Sequence, residues 1–340
     1  MIPKTLRRGM FLSPLLALLS GCNTVVMNPS GDIAKQEAQL IIVSVILMLL
    51  IIVPVMFLII WFAYKYRASN KEAAYEPDWD HSTKLELVIW GAPLLIIIVL
   101  GLVTWISTHK LDPYRPLDRI ADGRPIPASA KPLVIQAVAM DWKWLFIYPE
   151  QGIATVNELV VPVDVPVRFK ISATSVMNAF YVPELAGMIY AMPGMETTLN
   201  AVQNKAIQSI GFSSNYSGAG YSDMRFSYRG VPQGDFDGWV QSVKSAGANL
   251  DRAGYLTLEK PSIKEPVRHY AAVDNDLFYR VLNRCVADGA VCMDKMMNDD
   301  AKKAREMAML RHAPQQAAAT RLAQANGEVC TTPNDPVKKK

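Results

Sequence analysis

The sequence predicts a membrane α-helical hairpin of two transmembrane helices, an all-β sandwich or barrel outside the membrane, and a C-terminal helical extension. Three observations predict it. Two long runs, residues 38–64 and the stretch between Glu86 and Lys110, contain no Asp, Glu, Lys or Arg. A signal-like segment comes before them. A series of short apolar runs separated by turn residues comes after them.

Composition agrees with this division. Of 340 residues, 51% are hydrophobic and 19% charged, as expected for a polar domain joined to concentrated apolar segments. The formal charge of +4 is small for the length, and there is no basic stripe with interleaved aromatics. A nucleic-acid partner is therefore not expected.

Residues 1–21 read as a lipoprotein signal peptide. Lys4, Arg7 and Arg8 form a basic start, and Met10 to Leu19 form an apolar core. That core is too short to cross a hydrocarbon layer of about 30 Å. Leu19-Ser20-Gly21-Cys22 resembles a bacterial lipobox. That resemblance implies a diacylglycerol on the Cys22 thiol, cleavage before Cys22, and acylation of the new amine by a chain such as palmitate. The rival reading is a plain secretory signal followed by a chance cysteine.

Residues 22–37 are then external and 38–64 form the first transmembrane helix. Its Pro54 is tolerated in a membrane, where neighbouring groups re-satisfy the freed carbonyl. Residues 65–84 form a cytoplasmic loop, and 85–109 the second helix, with Leu87 to Ile106 as its core. Each run exceeds the roughly 20 residues a span needs. Trp61, Tyr64, Trp90 and Trp105 lie towards the ends, as an aromatic belt does. The loop carries four basic and four acidic residues, so charge alone orients it weakly. A lipidated, external Cys22 sets the direction. The chain enters at the outer face of the bacterial cytoplasmic membrane and returns there, leaving the large domain in the periplasm.

Residues 110–131 read as a linker, since Lys110 to Pro132 holds five prolines. The β-domain is expected over 132–258. Its candidate strands are Leu133–Ala139, Trp142–Tyr148, Val156–Val163, Val167–Ala173, Ala179–Val182, Glu196–Val202, Ile207–Phe212 and Arg225–Tyr228. Val167 to Ile171 alternates strictly, as a sheet with one buried face requires. Short strands between turns argue for an antiparallel arrangement. Asp235 to Ala246 has Phe236, Trp239, Val240 and Val243 at helical spacing. Residues 259–312 read as an aromatic-rich helical segment and 313–340 as a mobile tail. Cys285 and Cys292 are close enough in sequence to pair in an oxidising compartment, but the sequence leaves this open. Cys330 has no evident partner.

Several motifs are similar to subunit II of haem–copper terminal oxidases, in the quinol-oxidising, cytochrome bo-type branch. They are Lys65-Tyr66-Arg67-Ala68-Ser69-Asn70-Lys71, Met140-Asp141-Trp142-Lys143-Trp144, the run Ile147 to Glu158, Ser175-Val176-Met177-Asn178 and Tyr190-Ala191-Met192. The stretch from His269 to Val286 resembles that branch's aromatic-rich motif. The resemblance covers residues 19–290 and implies a cupredoxin-like Greek-key sandwich.

The sibling branch oxidises cytochrome c and holds two copper ions in this domain, through the loop pattern C-x₃-C-x₃-H-x₂-M and an upstream His. Here Ser213 and Ser217 stand at the cysteine positions and Tyr221 at the histidine position. Met224 is retained, and Asn178 stands for the upstream His. Residues 132–258 contain no Cys and no His. A serine hydroxyl is a hard, protonated donor and does not replace a bridging thiolate. The five positions are read as a vestigial, non-binding copper site. No metal is expected in this chain.

The resemblance then implies an integral subunit of a ubiquinol oxidase of the aerobic respiratory chain. The complex would oxidise ubiquinol, reduce O₂ to water and translocate protons. The haems and copper would sit in subunit I, with smaller subunits and the lipid bilayer as further partners and no role for cytochrome c. No catalytic residue is expected here. Glu86, at the cytoplasmic start of the second helix, matches a glutamate near a proton-channel entrance of subunit I. The competing reading is an acid that favours the helix dipole. Trp142 and Trp144 match an electron-entry cluster whose role would lapse without copper, leaving packing or docking. Two other functions remain: a stand-alone membrane lipoprotein with a cupredoxin-like binding module, and a copper-bearing cytochrome c oxidase subunit.

Overall fold

The computed structural model describes residues 24–325 apart from Tyr75 and Ser129. The signal peptide, Cys22, Cys330 and the end of the tail lie outside the described residues. Helix α1 spans Asp32–Lys65 and α2 spans Thr83–Lys110. At 1.5 Å per residue, α1 is about 51 Å long, well beyond a hydrocarbon core of about 30 Å. Its surplus first turn therefore stands outside the apolar run. Both helices pass through their prolines, Pro54 and Pro93, without a break. Their outward faces are bare: Ile60, Leu87 and Trp90 are 68%, 75% and 76% exposed. Apolar surface on that scale is covered by lipid or by a partner. On α2 the least exposed positions are Pro93, Ile96, Leu100, Val103 and Ser107, at the three-to-four spacing of one helix face.

The linker carries a small hairpin, β1 (Arg119–Ala121) with β2 (Arg124–Pro125). Arg124 donates two hydrogen bonds to Asp164, at 2.8 and 2.9 Å. That contact holds the Asp164 carboxyl below its ordinary range.

The external domain follows as β3 (Leu133–Met140), β4 (Lys143–Tyr148), β5 (Ile153–Val156), β6 (Glu158–Pro162), β7 (Pro166–Ala173), β8 (Asn178–Val182) and β9 (Ala186–Ala191). Then come β10 (Thr197–Val202), β11 (Ile207–Ser213), β12 (Arg225–Val231), α3 (Gln233–Ala246), β13 (Ala248–Leu250), α4 (Arg252–Leu258), β14 (Arg268–Val273), α5 (Leu277–Leu282) and α6 (Met293–Ala325). The larger sheet runs β10-β7-β3-β4-β5-β14-β13 and the smaller one β6-β12-β11-β8-β9.

The expected antiparallel sandwich is a mixed one, because β3 with β7, β6 with β12 and β13 with β14 pair in parallel. Local alternation does not reveal such pairs, since they join segments distant in sequence. The expected single strand Val156–Val163 is two strands in different sheets. The expected boundary after 258 also shifts: β14 pairs with β5, so the segment 259–312 is not wholly helical. Helix α6 continues from Met293 to Ala325, past the expected start of the tail at 313. Its Ala, Lys, Gln and Met content favours helix without needing a core.

Two cores flank the larger sheet. Trp144, Phe146 and Tyr148 face the smaller sheet and meet Phe169, Phe180, Phe226 and Tyr228, with Phe236 and Trp239 of α3 beside them. Leu145 and Ile147 face the opposite way, towards Leu250, Tyr255, Leu258, Leu277, Phe278 and Val281. This is why every residue of β4 is buried. The C-terminal part adds a third layer, on the face of the larger sheet opposite the smaller one. A disulfide joins Cys285 and Cys292, whose Cα atoms are 4.8 Å apart, next to that layer.

The chain changes sheets at Asn157, which adopts φ 55°. Asn tolerates this left-handed conformation better than most residues. Its Oδ1 accepts a hydrogen bond from the Trp144 amide at 2.9 Å, and its Nδ2 donates to the Glu265 carbonyl at 2.8 Å. Its carbonyl accepts from the Ser227 amide at 2.9 Å. Asn157→Ala would orphan the buried Trp144 amide and the partly buried Glu265 carbonyl, and strain the turn. We expect it to cost about 2–4 kcal/mol, read as a lower thermal midpoint, with Asn157→Asp losing less because it keeps the acceptor.

Candidate functional site

The five predicted positions converge at one end of the sandwich. Ser213 ends β11, Met224 immediately precedes β12, and the loop between them carries Ser217 and Tyr221. Asn178 begins β8, which pairs with β11. Ser213 is buried, and its Oγ donates to Asn178 Oδ1 at 3.0 Å while accepting from the Ala179 amide at 3.2 Å. The Ser217 hydroxyl points to Met224 Sδ at 3.9 Å. Met224 is buried in the inter-sheet core, and its carbonyl accepts a 3.4 Å hydrogen bond from the Ser213 amide. Tyr221 is partly exposed and lies edge-on to Tyr216, ring centroids 5.5 Å apart. Side-chain contacts thus join two pairs, Ser213 with Asn178 and Ser217 with Met224, a backbone hydrogen bond joins the pairs, and Tyr221 stands at the rim.

Trp142 covers this loop. It sits at φ 68° in the turn between β3 and β4, and its indole N–H donates to the Ser217 carbonyl at 3.1 Å. A Cβ at Gly220 would collide with the indole ring, so only glycine allows the approach. Trp144 lies below, fully buried, with its ring 5.5 Å from Phe180 and 5.8 Å from Phe226. Its indole N–H has no partner among the described residues.

The donor set does not fit a dinuclear copper centre. It offers two hydroxyls, an amide, a phenol and one thioether, where mixed-valence copper needs bridging thiolates and imidazoles. The Ser213 hydroxyl already uses its hydrogen-bonding capacity on protein groups. Among the described residues no group of three or more His, Cys, Asp and Glu is placed to hold a metal.

Glu86 lies in the first turn of α2, its side chain 51% exposed. His81 Nδ1 is 2.8 Å from its carboxylate. His81 Nε2 meets the Thr83 hydroxyl at 3.1 Å, so the start of α2 is a connected polar group.

Sequence reasoning missed two clusters. Lys143 is buried and donates to the Lys260 carbonyl and to Ser262 Oγ, both at 2.7 Å. Burial pulls its ammonium below the ordinary value, opposed by Glu265 and Asp141. Glu158 takes His269 Nε2 at 2.7 Å, an Arg229 N–H at 3.0 Å and the Trp239 indole N–H at 3.1 Å. The partners lie up to 119 residues away, so only the charged residues at strand ends hinted at them.

Removing the Ser213 hydroxyl leaves the Ala179 amide and the Asn178 amide oxygen unmatched in a buried site. Ser213→Ala is expected to cost about 1–3 kcal/mol in a denaturant melt, whereas Ser217→Ala changes stability by less than about 0.5 kcal/mol.

Comparison with known proteins places this geometry. The family model described as "Cytochrome C oxidase subunit II, periplasmic domain" matches residues 150–231, and the one described as "COX Aromatic Rich Motif" matches residues 244–289. The chain is 48% identical to cytochrome bo(3) ubiquinol oxidase subunit 2 of Pseudomonas putida, over 79% of this chain and 83% of that one. It is 42% identical to ubiquinol oxidase subunit 2 of Acetobacter aceti, over 87% and 92%. The crystal structure of the periplasmic domain of cytochrome oxidase subunit II from Bradyrhizobium japonicum matches with 26% identity and a TM-score of 0.32, covering 33% of this chain and 94% of that one. At this identity and coverage of the curated relatives, the chain belongs to the family of subunit 2 of bo-type ubiquinol oxidases.

Proposed function

We propose that this chain is subunit II of a ubiquinol-oxidising haem–copper oxidase in the bacterial cytoplasmic membrane, and that it carries no redox centre of its own. Its hairpin braces subunit I and its sandwich caps the outer face. The observation that carries this reading is the Ser213 hydroxyl, bonded to Asn178 and to the Ala179 amide where the sibling branch needs a thiolate. Ubiquinol dissolves in the bilayer. An enzyme fed from the lipid needs no metal relay in a water-facing domain, and no cytochrome c. The haems, the copper and the O₂ chemistry belong to subunit I, which together with the smaller subunits covers the bare helix faces. The reading extends to a lipid anchor on Cys22, supported by the order of basic start, apolar core and lipobox in the sequence.

Mild-detergent purification of the tagged chain tests the reading. We expect co-purifying haem and O₂ uptake that depends on quinol and ignores cytochrome c. Copper should not exceed what subunit I holds. A haem-free chain, or two further copper atoms per complex, would overturn the reading.

Glu86 is proposed to pass protons towards subunit I. Its half-exposed carboxylate at the cytoplasmic start of α2, in contact with His81, supports that role. In the assembled oxidase, Glu86→Gln is expected to slow turnover and haem reduction several-fold. Unchanged kinetics would leave Glu86 as a helix-dipole partner only.

A further inference from the structure

A groove of about 410 Å³ opens between the outer ends of α1 and α2. Its rim carries Lys35 and Lys110, its wall Gln39 and Ser107, and its floor Val43 and Val103. Arg119 also lines it, but its guanidinium is tied to Asp32 at 3.0 and 3.2 Å and to Asp122 at 3.2 Å. Lys35 and Lys110 are exposed and make no ion pair among the described residues.

Two independent lines put these lysines at one depth. Lys35 lies one turn above the uncharged run of residues 38–64, and Lys110 closes the second uncharged run. From Lys35 to Val43 the helix descends about 12 Å, and from Lys110 to Val103 about 10 Å, the step from lipid phosphates into the acyl region.

We infer that this groove binds one phospholipid of the outer leaflet, its phosphodiester held between Lys35 and Lys110 and an acyl chain lying over Val43 and Val103. A free phosphate ion gives no reason for the apolar floor. The acyl groups expected on Cys22 carry no phosphate and give no reason for two unpaired ammonium groups at the rim. Only a phosphate joined to an apolar chain satisfies both ends.

Native mass spectrometry of the detergent-released complex, with bound phosphorus counted, tests this. The wild-type complex is expected to retain a phospholipid that Lys35→Gln/Lys110→Gln loses. Lys35→Arg/Lys110→Arg keeps it, and Val103→Trp expels it by filling the floor while sparing both charges. Titration with phosphatidylglycerol is expected to show binding weakened about five-fold per lysine removed, as for a basic side chain at an anionic surface. Inorganic phosphate alone is expected to leave the bound lipid in place. The inference is overturned if both the glutamine and tryptophan variants keep the wild-type lipid count. It is equally overturned if the wild type holds no phospholipid, or if inorganic phosphate displaces the lipid at comparable concentration.

Discussion

The external domain turns on a crossing made by one residue. At Asn157 the chain leaves the larger sheet and enters the smaller one within a single left-handed step. Its side chain then joins the Trp144 amide on β4 to the Glu265 carbonyl in the C-terminal part, and its own carbonyl takes the Ser227 amide of β12. Three segments far apart in sequence are fixed by one residue. The step also sets the parallel pairing of β6 with β12, which begins at Glu158 and Ser227. Met224 stands just before β12, so the loop carrying Ser213, Ser217 and Tyr221 inherits its position from this crossing.

Glu265 extends the same constraint to the second face of the larger sheet. Its carboxylate accepts from Ser262 at 2.6 Å and pairs with Arg268, while Ser262 and the Lys260 carbonyl take the ammonium of Lys143. A buried lysine is tolerated only where such partners replace its water. Beside it, Glu158 gathers His269, Arg229 and Trp239 from β14, β12 and α3. These two polar clusters bind the aromatic-rich segment to the sandwich, and that binding lets β4 be buried on both faces.

The hairpin, the strand-rich region and the loop from Ser213 to Met224 were legible because each rests on a local signal. Uncharged runs, period-two alternation and a ligand pattern are all read within about 25 residues. The rest was not local. The expected strand Val156–Val163 was drawn straight through Asn157 and Glu158, and the left-handed φ of Asn157 divides it. Strand β9 was missed because Gly187, Met188 and Tyr190 present no apolar alternation, yet its Ala186 and Ala191 are buried. Strand β14 was missed because it starts with Arg268 and His269, polar residues that make sense only once Glu265 and Glu158 face them. The donor set was legible residue by residue, but the satisfied hydrogen bonds of Ser213 required the pairing of β8 with β11.

The seat of the domain on the membrane follows from the surplus outer turn of α1. Asp32 is 4% exposed and takes two N–H groups of Arg119, while Gln36 donates to it at 2.8 Å. A carboxylate at a helix N-terminus is favoured by the dipole, which offsets part of its desolvation. Just before it, the Gly31 amide donates to the Glu184 carbonyl at 2.7 Å, and the Ser30 hydroxyl to the Glu184 carboxylate at 2.9 Å. A Cβ at Gly31 would collide with the Leu185 backbone, so this approach needs glycine. On the other side, Asn200 donates to the Pro113 carbonyl at 3.1 Å and Asn204 to that of Ile120 at 2.9 Å. Both ends of the hairpin are therefore stitched to the external domain, one at the turn between β8 and β9 and the other at β10 and the residues just after it. A domain held at two points has little freedom to swing, and swinging would serve a carrier that meets a soluble donor. A fixed seat suits the cap proposed above, whose partner would lie directly beneath it and whose electrons would arrive through the lipid.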